Sequence, residues 1–78
     1  MLKIDKLYAF VAVDSQGNEG VCAFMAGRSW MPMVAADSAR IKSLYPIAQQ
    51  ISRESNQTIR LIEFSTRKQL DIITPIEK

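Results

Sequence analysis

Residues Leu7–Val13 read LYAFVAV, a continuous run of β-branched, aromatic and small apolar residues. Because side chains alternate between the two faces of a strand, apolar residues at every position predict a strand that is buried on both faces. Residues 14–20 read DSQGNEG and are rich in turn formers. Residues 21–26, which read VCAFMA, are again apolar throughout. The three segments together predict a β-hairpin whose two strands are both buried on two faces.

One amphipathic helix, or two in tandem, is predicted over residues 38–54. Asp37 or Ser38 can cap its first turn, and apolar residues recur at helical spacing along the segment. Pro46 lies inside this span, where a proline removes one backbone hydrogen bond and crowds the preceding turn. We therefore expect a short opening turn and a kink or restart near Pro46. The helix should end by Asn56, since asparagine tolerates the left-handed conformation of a helix C-terminus.

The remaining segments predict shorter elements. Thr58–Phe64 is rich in β-branched residues and predicts a third strand. Residues 30–36 contain a proline, so they predict at best an edge strand or an irregular connection. Residues 66–69 fit a capping box and predict a single helical turn. Residues 71–74 then predict a short edge strand, and residues 75–78 a tail that frays.

The order strand, strand, helix, strand predicts an α+β fold in one small globular domain over residues 1–78. It would contain a small antiparallel sheet, made of the N-terminal β-hairpin and a C-terminal strand, with one Pro-kinked helix packed on one face. A single helix covers only one face, whereas the strands are apolar on both, and large exposed apolar patches are rare on soluble monomers. The other face of the sheet is expected to be covered by residues 30–34 and 70–76, or by a second copy of the chain. Because a chain of 78 residues also has a small core, these points favour a homodimer.

The composition excludes several common kinds of site. The chain has no histidine and a single cysteine, so one copy cannot form a disulfide, a histidine-based metal site or a Ser-His or Cys-His nucleophile pair. Cys22 lies in the middle of a predicted strand, where a small buried apolar side chain is the expected role. The three glycines match neither a phosphate-binding loop nor a dinucleotide fingerprint. We therefore predict a protein that is not an enzyme and has no catalytic residues, no metal and no cofactor.

The distribution of charged and apolar residues indicates the compartment and the kinds of partner. Ten Lys and Arg residues against eight Asp and Glu give a net charge of +2, and the basic residues are scattered along the chain. A nearly balanced and scattered charge does not by itself indicate nucleic-acid binding. The N-terminus lacks a basic patch followed by an apolar run, and no apolar stretch approaches the roughly 18 residues of a membrane span. The sequence therefore predicts a cytoplasmic protein with no membrane segment.

The first candidate site consists of Arg28, Trp30, Met31 and Met33, in a segment predicted as a loop or an edge. Tryptophan and arginine are the residues most enriched at interface hot spots, and methionine adapts its shape to varied partners. These residues favour a small interaction module, either an adaptor, an inhibitor or a regulator, that binds a protein partner as a homodimer. In the alternative interpretation, Trp30 and Met33 fold over the sheet as a lid on the core.

The second candidate site consists of Ser65, Thr66, Arg67 and Lys68. At a helix N-terminus, free backbone N–H groups, two hydroxyls and two cations would bind an anion such as a phosphate. A capping box with two solvated charges explains the same residues. The alternative function is therefore binding of an anion, a nucleotide or a nucleic acid. A small-molecule site at a dimer seam is a third possibility.

Overall fold

The computed structural model describes residues 3–75, which contain one helix and six strands. The strands are β1 (Leu7–Val13), β2 (Glu19–Val21), β3 (Ala23–Ala26), β4 (Ser29–Pro32), β5 (Val34–Ala35) and β6 (Thr58–Phe64), and the helix α1 (Ser38–Ser55) precedes β6. This arrangement confirms the predicted small α+β fold. Of the tail that was predicted to fray, residues 76–78 lie outside the described residues.

Strand β1 lies at the centre of the main sheet. Strand β6 pairs antiparallel with its whole length, from Leu7 opposite Phe64 to Val13 opposite Thr58. On the other edge of β1, β2 pairs with the second half and β5 with the first half, both antiparallel. The outer edge of β6 carries no strand within residues 3–75. Partners on both edges make β1 the central strand of this sheet.

Three backbone hydrogen bonds close a ring, here named the three-strand junction. The N–H of Phe10 donates to the carbonyl of Met33 at 3.0 Å, the N–H of Met33 to Cys22 at 2.8 Å, and the N–H of Cys22 to Phe10 at 2.9 Å. All three side chains are buried in the core. The junction divides the strand predicted over residues 21–26 at Cys22. Beyond it, β3 and β4 form a separate two-stranded hairpin, here named the arm.

The arm reverses through Gly27 and Arg28. Ala26 and Ser29 are its last paired residues, and Gly27 has a φ of 65°. A positive φ at the first of two loop residues is typical of a type II′ turn, which matches the twist of a hairpin and favours glycine. The loop predicted from the sequence at residues 27–29 is thus the tip of a second hairpin.

Helix α1 is one residue longer than predicted. The Asp37 side chain accepts a hydrogen bond from the N–H of Arg40 at 2.9 Å, which confirms the predicted N-cap. Asn56 follows the helix with φ 54° and ψ 43°, the left-handed conformation expected there. The helix continues through Pro46 without a break, and the kink predicted near that residue stays a prediction.

The core lies between α1 and the inner face of the sheet, which is the face that packs against the helix. Its buried residues are Phe10, Cys22, Met33, Ala35, Leu44 and Ala48. The ring of Phe10 also meets Tyr45 of the helix edge to face, with centroids 6.2 Å apart. Half of these buried residues belong to the three-strand junction, so the junction and the core are one structure.

The C-terminal segment differs from the sequence prediction. Residues 65–74 form neither the helical turn predicted at residues 66–69 nor the edge strand predicted at residues 71–74. A single turn is unstable by itself and needs tertiary packing of an apolar face. The neighbouring apolar side chains, Leu70 and Ile72, are exposed, so that packing is missing.

We expect Met33→Ala to lower the free energy of unfolding by about 2–5 kcal/mol, because it leaves a cavity at the junction. Met31 is the matched control, since it lies two residues earlier and is exposed. Met31→Ala should cost about 1 kcal/mol or less. Urea denaturation followed by circular dichroism measures both values, and equal losses would contradict the central role of the junction.

The Asp14 carboxylate organises the turn between β1 and β2. It accepts hydrogen bonds from the backbone N–H groups of Asn18 and Gln16, both at 2.9 Å, and from the Asn18 side-chain amide at 3.1 Å. These bonds, those from Asn18 foremost, hold the pKa of Asp14 below its ordinary value. A lowered pKa stabilises the fold above the pKa of the unfolded chain, and that contribution is lost as the pH falls through the folded pKa.

Asp14→Ala should therefore lower the melting temperature at neutral pH. The difference from the wild type should begin to shrink as the pH falls below about 3.9, the ordinary pKa of an aspartate in an unfolded chain, and should disappear below the lower pKa of the folded state. Thermal unfolding across this pH range checks the prediction. Ser15→Ala, in the same turn, is the control and should leave the pH profile unchanged. A difference that stays constant with pH would show that the carboxylate charge is not responsible.

Candidate partner-binding surface

The four residues of the first candidate site divide between the arm and the core. Arg28 lies at the tip of the arm, Trp30 and Met31 lie on β4, and Met33 lies at the three-strand junction. Trp30 is 67% exposed, whereas Met33 has no exposed surface. Side chains three residues apart in an extended chain point to opposite faces. Met33 is therefore a core residue and is separated from the surface that carries Trp30.

This division also corrects the alternative interpretation of a lid. Met33 does contribute to the core, as a lid residue would, and packs with Phe10 and Leu44 in one cluster. Trp30 takes no part in that cluster and remains mostly in water. The tryptophan is thus available to a second molecule.

Met25 completes the exposed face of the arm. It lies directly opposite Trp30 in the pairing of β3 with β4 and is 49% exposed. Residues that are directly opposite in an antiparallel pair share one face, so the two large side chains are neighbours. Met25 is not among the residues predicted for this site from the sequence. A glycine and one further residue between two apolar segments signal a two-residue hairpin, and that signal would have placed Met25 opposite Trp30.

The other face of the arm is partly used by the protein itself. Phe24 lies opposite Met31 on this face. Phe24 is half-buried and packs against the core cluster, whereas Met31 is exposed. Of the two faces, the one with Met25 and Trp30 is therefore the freer for a partner.

The main sheet has a second apolar face, here named the open face, which is the one turned away from α1. Its centre is formed by Ala9 and Val11, which are buried among their neighbours. Around them lie side chains that are exposed or half-buried: Leu7, Val13, Val21, Val34, Ile62 and Phe64. Residues 70–75 are exposed and do not provide the second cover predicted for them.

The open face continues onto the arm. Next to the junction, the side chains that point away from the core belong to three residue pairs: Ala9 with Val34, Val11 with Val21, and Ala23 with Pro32. Two residues further along the arm, the same alternation brings Met25 and Trp30 to this side. By this alternation, the exposed pair Met25 and Trp30 lies on the same side of the chain as the open face of the sheet.

Three of the four residues of the second candidate site line a groove of about 310 Å³, here named the basic groove. The polar residues that line it are Asp5, Lys6, Thr66, Arg67 and Lys68. Ser65, the fourth residue of that candidate site, is not among the lining residues. No helix begins at Ser65 in the described chain, so the site lacks the helix N-terminus from which it was predicted. The structure instead brings Lys6 beside the predicted cations.

Another groove, of about 330 Å³, lies between α1 and β6 and is here named the helix groove. Phe10, Ile59 and Leu61 provide its apolar lining, and Tyr45 and Arg53 line it from the helix. The residues of β6 in this lining belong to the strand whose outer edge is unpaired in the described residues. The groove therefore runs beside an open strand edge.

Cys22 is buried, and this burial raises the pKa of its thiol. The thiol therefore stays protonated at neutral pH, which does not suit a nucleophile. Within residues 3–75, no group of three His, Cys, Asp or Glu side chains is placed to hold a metal ion. No helix in the same range is long and apolar enough to cross a membrane.

We compared the chain with models of known protein families, with curated proteins and with solved structures, and none of the three comparisons gave a match. The arm, the open face and the two grooves are therefore defined by the residues of this chain alone.

Proposed function

We propose that this protein is a non-catalytic interaction module that binds a protein partner through the arm and acts as an adaptor, an inhibitor or a regulator. The observation that carries the proposal is the pair Trp30 and Met25, side by side on a hairpin that leaves the sheet. A tryptophan that remains in water adds little to the stability of its own chain. Its burial against a partner would contribute about 2 kcal/mol or more to binding.

Arg28 and Met31 extend the proposed binding surface around the arm. The guanidinium of Arg28, at the turn, can donate hydrogen bonds to carbonyl or carboxylate groups at the polar rim of an interface. Met31 offers a flexible apolar side chain on the other face of the hairpin. The arm thus combines the aromatic, arginine and methionine side chains that are enriched in protein interfaces.

The open face supports a macromolecular partner. It is apolar around the exposed side chains of Val21 and Phe64, and by strand alternation it lies on the same side of the chain as Met25 and Trp30. We also propose that the protein is a homodimer, because the one helix of residues 3–75 covers only one face of the sheet and a chain of 78 residues has a small core. The cytoplasm is the proposed compartment, since a buried, unpaired Cys22 suits a reducing environment.

Trp30→Ala should remove partner binding and leave the fold intact. The change should alter the free energy of unfolding by about 0.5 kcal/mol or less, because Trp30 lies outside the core. Quantitative affinity capture from extracts of the native cell measures the binding. Proteins retained by the wild type should fall at least tenfold with Trp30→Ala, since hot-spot truncations cost about 2 kcal/mol or more.

Ile4→Ala is the matched control for this experiment, because Ile4 is an apolar residue outside the arm that is 63% exposed, close to the value for Trp30. It should retain the same proteins as the wild type. If Trp30→Ala unfolds the protein or captures an unchanged set of proteins, the arm is not the binding site.

A second candidate function is anion binding in the basic groove. Three cations, Lys6, Arg67 and Lys68, line it together with the Thr66 hydroxyl, against the single carboxylate of Asp5. Clustered cations attract phosphate groups, so a nucleotide or a nucleic acid is the chemistry that this groove favours.

Fluorescence anisotropy with a labelled single-stranded oligonucleotide tests the second function. If three phosphates are neutralised, affinity should fall about 20-fold between roughly 50 and 200 mM salt. Arg67→Ala and Lys68→Ala should each weaken binding, whereas Lys42→Ala, on the helix and outside the groove, should not. Binding that ignores salt, or that weakens equally with Lys42→Ala, would exclude the basic groove as the site.

A further inference from the structure

The outer edge of β6 is an open position for an additional strand. Strand β6 pairs with β1 along its full length, and no strand pairs with its other edge in the described part of the chain. The backbone N–H and C=O groups along such an edge can pair with an added strand. Exposed edges are usually protected by a proline, charged side chains or a bulge. Thr58–Phe64 contains no proline and pairs with β1 without a bulge, and its charged residues are Arg60 and Glu63.

The helix groove lies beside this edge and can receive apolar side chains from an added strand. Ile59 and Leu61 point toward α1, since Leu61 pairs with the core residue Phe10. Together with Tyr45 they leave a space of about 330 Å³. Because side chains alternate along a strand, every second residue of an added strand would enter this groove.

Residues 70–73 of this chain read LDII, a composition that favours a strand. In the described part of the chain they pair with no other strand. The segment has no regular secondary structure, and Leu70, Ile72 and Ile73 are between 71% and 89% exposed. Strand preference depends on side-chain contacts with neighbouring strands, so such a segment becomes ordered when it finds an edge. The protein therefore carries both an open edge and a segment suited to fill it.

This segment does not reach the β6 edge of its own chain. Thr66 and Lys68 line the basic groove together with Ile4 and Lys6, so the chain continues past the end of β6 alongside the residues that precede β1. To reach its own β6 edge, the chain would have to reverse direction after leaving the sheet. The described chain makes no such reversal, and its β6 edge is left open to a second copy.

We propose that residues 70–73 of one copy add as an antiparallel strand to the free edge of β6 in a second copy, so that each copy gives and receives one strand. Antiparallel pairing is also the pairing of every strand pair in the structure described here. The register that suits both partners places Leu70 opposite Leu61, Asp71 opposite Arg60 and Ile72 opposite Ile59.

In this register, the side chains on both faces of the added strand are complementary to those of β6. Leu70 and Ile72 enter the helix groove, where the residues opposite them are apolar. Asp71 points to the other side of the sheet and lies beside the guanidinium of Arg60, which is on the open face because Arg60 pairs with Val11. This inference rests on the homodimer part of the proposed function and is independent of the arm.

Disulfide trapping tests the register. Arg60→Cys and Asp71→Cys are both changes at exposed positions, so each variant should fold. Directly opposite residues have Cα atoms about 4.5–5.5 Å apart, which suits a disulfide. Equal amounts of the two variants, mixed in oxidised glutathione, should give a covalent dimer at least tenfold more than either variant alone. The absence of that dimer would overturn the proposal.

A chain with both changes separates exchange between copies from closure within one copy. We expect it to form covalent dimers, detected by electrophoresis without reducing agent. A monomer with an internal disulfide would show that residues 70–73 fold back on their own β6 edge, and would overturn the role of the second copy.

Sedimentation equilibrium measures the contribution of the groove without cross-linking. Ile72→Arg puts a charge into the helix groove and should raise the dimer dissociation constant at least tenfold. Ile73→Arg is the matched control, since Ile73 faces away from the groove in the proposed register, and it should shift the constant less than threefold. Equal effects of the two changes would contradict the register.

The same measurements distinguish failure of the exchange from failure of the proposed function. Trp30→Ala should leave dimerisation and trapping unchanged. A dimer that tolerates Ile72→Arg and gives no mixed disulfide would overturn the strand exchange but retain the homodimer. A chain that is monomeric at all concentrations would overturn both, whereas binding of a partner by the arm would still be decided by the capture experiment.

Discussion

The ring of backbone hydrogen bonds among Phe10, Cys22 and Met33 determines where the other strands can go. Each residue donates one bond and accepts one within the ring, so no backbone group of the ring is left unpaired although three strand pairs meet there. The same geometry directs three side chains into the core beneath α1. Since Phe10 already bonds to Cys22 and Met33, the chain between those two residues has no position on β1. It pairs with itself, and the exposed arm is the result.

The sequence predicted the elements that depend on local pattern. The strands Leu7–Val13 and Thr58–Phe64 and the Asp37 cap follow from alternation, composition and capping chemistry. The junction could not be found in this way, because Cys22 and Met33 are apolar residues within apolar segments and carry no local sign of a change of partner. For the same reason, the sequence grouped Met33 with exposed residues of the arm.

The C-terminal segment and the grooves could not be predicted for a different reason, which is that they depend on tertiary contacts. A capping box at residues 66–69 contributes about 1 kcal/mol, which is too little to hold one helical turn without tertiary packing. The strand-like pattern of residues 71–74 forms no regular secondary structure in the described part of the chain, because such a pattern forms a strand only beside another strand. The helix groove joins Tyr45 to Leu61, and single-sequence patterns do not indicate contacts between residues so far apart along the chain.

The arm leaves the main sheet next to Cys22 and Met33, and Phe24 near its base packs against the core. Beyond Phe24, the length of the arm can therefore change without any change in the core. Two extra residues on each strand would preserve the alternation of faces and extend the hairpin by about 7 Å. The tip, with Gly27 and its type II′ turn, would move outward as a unit. Reach and stability are thus separate properties of this fold, and an engineer could adjust the first while leaving the second as it is.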